Sequence, residues 1–298
     1  MNYSLFYIVS FFKDKSMLKK IIVLASLLGL ITCSHTKSKN GKSALAAGLL
    51  LSQSSKSISS LSNSVVAVPA DSADTVTLAP NHTGSGFQDK TKAINGVRGA
   101  GLSSGSGDVF SLTATGVNAS MVLEWSGKRV LNGSGIDFIV YENVFQYNSN
   151  ASTVFMEAII VEVSQDNVSY CGFSPDYTFL QENTYSINPT HWKRFAGLTP
   201  VIYNVESNVF SGDDLYDTSK TGGDGFDLDN LSATNDYNIG CSTTLRDKIK
   251  SEGFVYLRLT AASARTNVDT GAGFLQDTGA FGGGPDIDGV MARYRGTR

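Results

Sequence analysis

The sequence predicts an all-β body, a sandwich of short strands, and three observations carry that prediction. Turn-forming residues are abundant: 30 glycines stand among 298 residues beside many Ser, Thr, Asn and Asp, so the chain reverses often and long helices are not expected. From about Val76 onward, short apolar runs alternate with polar breakers such as LSSGSGD, NGSG and QYNSNAS. In MEAIIVEVS one face carries Glu157, Ile159, Val161 and Val163, and the other carries Met156, Ala158, Ile160 and Glu162. The middle is therefore apolar on both faces, as a strand covered on both sides requires.

Composition narrows the partners. An apolar share of 41 % is ample for a core, and a net charge of -3 with 17 % charged residues leaves no basic stripe for phosphates. Nucleic acid is thereby excluded as the main partner, because its binding needs clustered Lys and Arg. A preference for calcium remains open.

Taken in chain order, Lys19 and Lys20 precede the apolar run IIVLASLLGLIT of residues 21–32. A membrane helix needs about 20 apolar residues, so this run is too short to span and fits the hydrophobic region of an export signal. Residues 1–32 are read as a signal peptide, with Met17 as the natural start. The quartet Leu30, Ile31, Thr32, Cys33 resembles the lipobox of bacterial lipoproteins, whose cysteine becomes the lipidated first mature residue. Thr32 departs from the usual Gly, Ala or Ser, and spirochaetal lipoboxes are looser at this position. The alternative is an ordinary signal-peptidase site with an unmodified Cys33. Acyl chains contribute about 0.8 kcal/mol per buried CH₂, and two or three of them hold a protein at a bilayer where one does not. Residues 33–75 form the expected tether. SHTKSKNGKS and SQSSKSISSLSNS are too polar to offset ordering entropy, with a short helix expected in ALAAGLLL between them.

Residues 76–298 form the expected sandwich domain. DVFSLTA, SMVLEWSG, IDFIVYENVF, FMEAIIVEVSQ, GFVYLRLTAAS and the final IDGVMARY read as strands. The ordered succession GSGDVFSL, NGSGIDFIVYENVF, FMEAIIVEVSQDNVSY, FAGL, GGDGFDLDNL, VYLRLT and GGGPDIDGVMARY is similar to a family of exported bacterial cell-surface proteins, which includes a spirochaetal lipoprotein family. The likeness covers residues 105–294 in unbroken order. It implies a jelly-roll or galactose-binding-like β-sandwich at the cell envelope and no established catalytic activity.

The candidate sites follow from the side chains. Asp137 and Glu142 bracket FIVY, Glu157 and Glu162 bracket AIIV, and Asp286 and Asp288 open the last strand. Carboxylates beside turn carbonyls could supply the six to eight oxygens that Ca²⁺ takes. Glu142, Glu157, Asp286, Asp288 and Asp137 are therefore candidates for a calcium site, or for a rim of hydrogen bonds from loop amides, at one end of the sandwich. Arg258 and Arg293 are the cations expected to neutralise them without metal. The dense run Asp213, Asp214, Asp217, Asp224, Asp227 and Asp229 reads mostly as a solvated loop. GLSSG at 101–105 matches the G-x-S-x-G pattern of hydrolases but lacks a strand-to-helix setting and reads as a loop. GKS at 41–43 lacks the earlier glycine of a phosphate loop, and His35, His82 and His191 lack zinc spacing. Cys171 and Cys241 either pair in an exported chain or are two buried thiols, with the bridge preferred. Trp125, Trp192 and Tyr147 are candidates for stacking on a sugar.

Together these features predict a lipoprotein held in the outer membrane through Cys33, with a non-catalytic domain that binds a glycan or a host or envelope protein. A carbohydrate-active enzyme with two converging carboxylates in an exposed cleft and a purely structural envelope protein are the alternatives.

Overall fold

The computed structural model describes residues 68–79, 87–114, 119–179, 186–233, 241–267, 271–275 and 283–298. The expected signal peptide, Cys33, the helix in ALAAGLLL, and the tether up to residue 67 lie outside the described residues.

The described chain forms the strands β1 (Thr75–Leu78), β2 (Phe110–Ser111), β3 (Ser120–Glu124), β4 (Lys128–Val130), β5 (Phe138–Glu142), β6 (Phe145–Tyr147), β7 (Asn150–Phe155) and β8 (Ile159–Ser164). They are followed by β9 (Tyr170–Gly172), β10 (Asp176–Tyr177), β11 (Trp192–Lys193), β12 (Asp224–Phe226), β13 (Tyr256–Ala261), β14 (Asp286–Ala292) and β15 (Arg295–Thr297). One sheet runs β1-β3-β13-β8-β9 and the other β12-β5-β14-β2, with antiparallel pairing throughout. The fold is an all-β sandwich. A single core joins the sheets: Met121, Leu123, Val161, Val163, Leu257 and Leu259 from the first meet Phe110, Phe138, Val140, Val290 and Ala292 from the second.

Both sheets are also covered on their outer faces. Ala158 and Ile160 pack under Trp192, Phe195 and Phe274, while Ile139, Tyr141 and Met291 pack under Val201, Tyr203 and Tyr216. This double cover is why every residue of β5 and of β8 is buried, and why those strands lack the alternation of a half-exposed strand. Glu162, fully buried on β8, lies directly across from Arg258 on β13. Its carboxylate accepts hydrogen bonds from Arg258 at 2.8 and 2.9 Å and from Arg265 at 3.1 Å. Arg258 in turn stacks 3.7 Å above the ring of Tyr170.

The body begins before residue 76. Ala73 is fully buried, its amide bonds Val290 O at 2.9 Å, and Ala292 donates to Asp71 O at 2.9 Å. Asp71 also pairs with Arg295 and accepts from Tyr216 Oη at 2.7 Å. Residues 71–75 therefore belong to the sandwich and not to the tether. The GGDGFDLDN segment also differs from a solvated loop: it supplies edge strand β12, with Phe226 4 % and Leu228 0 % exposed. Cys171, at the end of the first sheet, is bonded to Cys241, with their Cα atoms 4.9 Å apart. Cys241 leads into the ten-residue helix Thr243–Glu252, which Ser242 caps by accepting from the Leu245 amide.

Candidate functional site

The carboxylates singled out from the sequence do not gather at one end. Asp137 and Glu142 stand at opposite ends of β5, so a separation of roughly 15 Å follows from strand rise. Both Asp137 oxygens accept backbone amides, from Gly133 and from Leu228, each at 2.7 Å. Burial, with Asp227 and Asp229 nearby, pushes its pKa up to about 6. Asp288 is fully buried and accepts the Arg98 amide at 2.8 Å. Burial and the charge of Asp108 push it up to about 7.

Glu142, Glu157 and Asp286 are brought together. Glu142 accepts the Asp286 amide at 3.1 Å, and Ser111 Oγ donates to Asp286 at 2.6 Å. Burial, then repulsion from Glu157 and Asp286, holds Glu142 well above the usual carboxylate range. Gly197 is what lets the chain pass: at φ +78°, a Cβ there would lie 2.3 Å from Glu157 O and 3.4 Å from Glu142 Cγ. Glu142 and Glu157 are 2 % and 4 % exposed, so they are sealed inside the body rather than lining a cleft. Among the described residues, no group of three or more His, Cys, Asp or Glu is arranged to hold a metal ion. The single calcium site or hydrogen-bonded rim expected from these five carboxylates is thus corrected in its placement: Glu142, Glu157 and Asp286 share one internal position, while Asp137 and Asp288 accept amides at two others. The guanidinium groups of Arg258 and Arg293 pair instead with Glu162 and with Asp213, although the Arg293 amide donates to Asp137 O at 2.7 Å.

Two of the three aromatics expected at a sugar site are core residues. Trp125 and Trp192 are each 2 % exposed, and their indole N–H groups donate to Asp71 O and Ser186 O, both at 2.9 Å. Tyr147 is at the surface, 37 % exposed, on the hairpin β6–β7. Asn148 and Ser149 turn that hairpin with φ of 50° and 58°, the left-handed pair of a two-residue turn. Phe145 and Phe155 stack across it with centroids 5.0 Å apart, and Tyr147 meets Phe155 edge-on at 6.3 Å.

Beside this hairpin runs a groove of about 410 Å³, walled by the glycine-rich loop 98–107 and the loop 202–208. Gly99 and Gly101 donate to Tyr203 O and Val201 O, each at 3.0 Å, so the loops are laced together. A Cβ at Gly99 would come within 2.7 Å of both carbonyls, so only glycine permits that approach. Leu102 lies between groove and hairpin: its carbonyl accepts the Gln146 amide at 2.7 Å, and Asn143 holds Ser106 through both of that residue's backbone groups. GLSSG is therefore a groove wall and carries no nucleophile elbow.

Polar side chains along the groove are fixed in place. Arg98 bonds Glu206 at 2.9 and 3.1 Å and Asp108 at 3.2 Å, which leaves no excess positive charge. Asn204 donates to Gly99 O at 3.0 Å and Asn208 to Ile202 O at 2.9 Å. Reading the sequence missed Arg98, Asn204, Ser207 and Asn208, because they fall in turn segments with no spacing signal. Compared with known proteins, the chain matches no protein-family model and no curated protein.

Proposed function

We propose that this chain is an exported lipoprotein, anchored in the bacterial outer membrane through Cys33, whose jelly-roll or galactose-binding-like sandwich binds glycans without catalysis. The observation that carries the reading is the polar, loop-rimmed groove between loops 98–107 and 202–208, whose first loop is bonded through Leu102 to the hairpin that exposes Tyr147. Prearranged amide, hydroxyl and paired charged groups suit sugar hydroxyls, and an aromatic face suits the apolar side of a pyranose. The balance of Lys92 and Arg98 against Asp108 and Glu206 favours a neutral sugar. The Cys171–Cys241 bond supports export, since such bonds persist in oxidising compartments. Against an enzyme stands the burial of Glu142 and Glu157, which keeps this close carboxylate pair away from any substrate.

A glycan array with the purified chain, run with and without Ca²⁺, tests the binding. A defined set of neutral glycans should be retained in both conditions, and Tyr147→Ala should weaken retention by roughly tenfold. If no glycan is retained, or if Tyr147→Ala leaves retention untouched, the groove reading fails. Cys33→Ala should release the protein from membranes, and an unmodified N-terminus on the native protein would refute the anchor.

A further inference from the structure

A second concavity opens at the side of the sandwich, along the free edge of β12. Among the described residues that strand bonds only β5, and β9 is the edge of the facing sheet. Phe173, just after β9, packs on Phe226 of β12 with centroids 4.9 Å apart. Between these edges lies a cavity of about 260 Å³. Phe173, Leu198 and Phe226 give it an apolar lining, and Arg194, Asp224 and Asp227 stand around it.

We infer that this cavity binds a small zwitterion with an apolar body, of which a free α-amino acid with an apolar side chain is the simplest case. The inference does not rest on the glycan reading. Size sets the class: drug-sized ligands occupy about 300–1,000 Å³, so this cavity suits something smaller.

Charge then selects within the class. Arg194 donates through Nε to Ser174 O at 2.6 Å, and among the described residues its two terminal nitrogens meet no acceptor. They are available to a carboxylate. Both residues of that contact have left-handed backbones, Ser174 at φ 50° and Arg194 at φ 61°, which sets where the guanidinium stands. Asp227 accepts the Asp229 amide through Oδ1 at 2.8 Å, and its other oxygen has no donor among the described residues. It is available to an ammonium. Asp224 is held by the Leu198 amide and Thr199 Oγ1, both at 2.8 Å, and adds a second negative centre once ionised. A purely anionic ligand would meet two carboxylates here, and a purely cationic one would meet Arg194. A ligand bearing both charges satisfies each.

Calorimetric titration of the full chain in mild detergent, at about pH 7.5 so that Asp224, raised by burial to about 6, is ionised, tests this with four probes. L-phenylalanine and L-leucine should bind with Kd on the order of 1 mM or tighter, and 3-phenylpropanoate and phenethylamine, each lacking one charge, about tenfold more weakly. Arg194→Gly, which suits the left-handed backbone and so leaves the fold intact, should weaken phenylalanine binding by about tenfold or more, as should Asp227→Asn. Melting temperatures of both variants should match the parent. The inference is overturned if neither amino acid binds, if either single-charge analogue binds as tightly as phenylalanine, or if Arg194→Gly leaves the affinity unchanged.

Discussion

Replacing Asp288 by Asn should flatten the dependence of stability on pH. Asp288 is fully buried, one oxygen accepts the Arg98 amide, and the other has no partner among the described residues. Burial raises its pKa from 3.8 to about 7. A carboxyl whose pKa is raised by folding stabilises the native state fully below its unfolded pKa, and that contribution is lost as pH rises through the folded value. Applying linkage to these two values, the loss between about pH 5 and pH 8 is on the order of 3 kcal/mol. Asn keeps the acceptor for Arg98 but cannot ionise, so this part of the slope disappears. Its amide costs about 1 kcal/mol at the unpartnered position, which leaves the variant slightly weaker in acid and stronger in base. Urea denaturation at the two pH values reads the effect directly. The parent should lose stability between them, through Asp288 together with Glu142, Asp137 and Asp224, which are also raised by burial. The variant should lose on the order of 3 kcal/mol less. Equal slopes for parent and variant would refute the assignment of Asp288 as an internal titrating group.

Other perturbations probe other parts of the fold. A chain starting at residue 68 should melt like the full chain, whereas one starting at residue 76 should lose roughly 2–4 kcal/mol with buried Ala73 and the Asp71–Arg295 pair; equal denaturation midpoints would contradict the packing of residues 71–75. Gly197→Ala should cost at least about 2 kcal/mol, because the methyl would enter the space of Glu157 O at a positive φ; a neutral result in chemical denaturation would show that the loop can relax. Thiol labelling of the exported, denatured, unreduced protein should find neither Cys171 nor Cys241, and reduction should lower stability by up to about 4 kcal/mol for a bridge spanning 70 positions. Full labelling of both would show that the bond does not form in the cell.

The inner strands could be read from the chain because their hydrophobic pattern is redundant. SMVLE, FIVYE, IIVEVS, YLRLT and DIDGVMA are continuous enough that β3, β5, β8, β13 and β14 follow from composition alone. β12 escaped, since Asp224 and Gly225 resemble solvent-facing loop residues until β5 pairs with them. The carboxylates show the same limit more sharply. Whether an aspartate beside a turn ligates a metal or accepts amides depends on which backbone arrives from elsewhere, and Leu228 reaches Asp137 across 91 positions of sequence. No local spacing records that meeting. The groove is still further from reach: its walls are turn residues, and the pairing of Arg98 with Asn204 and the amide bonds of Gly99 and Gly101 make them face each other.

The clamped root of the N-terminal chain has a mechanical consequence. Any pull transmitted along a tether reaches the body at Asp71–Ala73, whose main-chain bonds run to Val290 and Ala292 of β14. At residues 290–292 β14 is paired with β5 on one side and with residues 71–73 on the other, so the load falls first on this short N-terminal segment. The Arg295 contact ties the same point to the last strand. Under such a pull the first yield should be the release of residues 71–75, with the β5–β14 pairing still intact, so the bonds of Asp71 and Ala73 act as a fuse that gives way before the sandwich does.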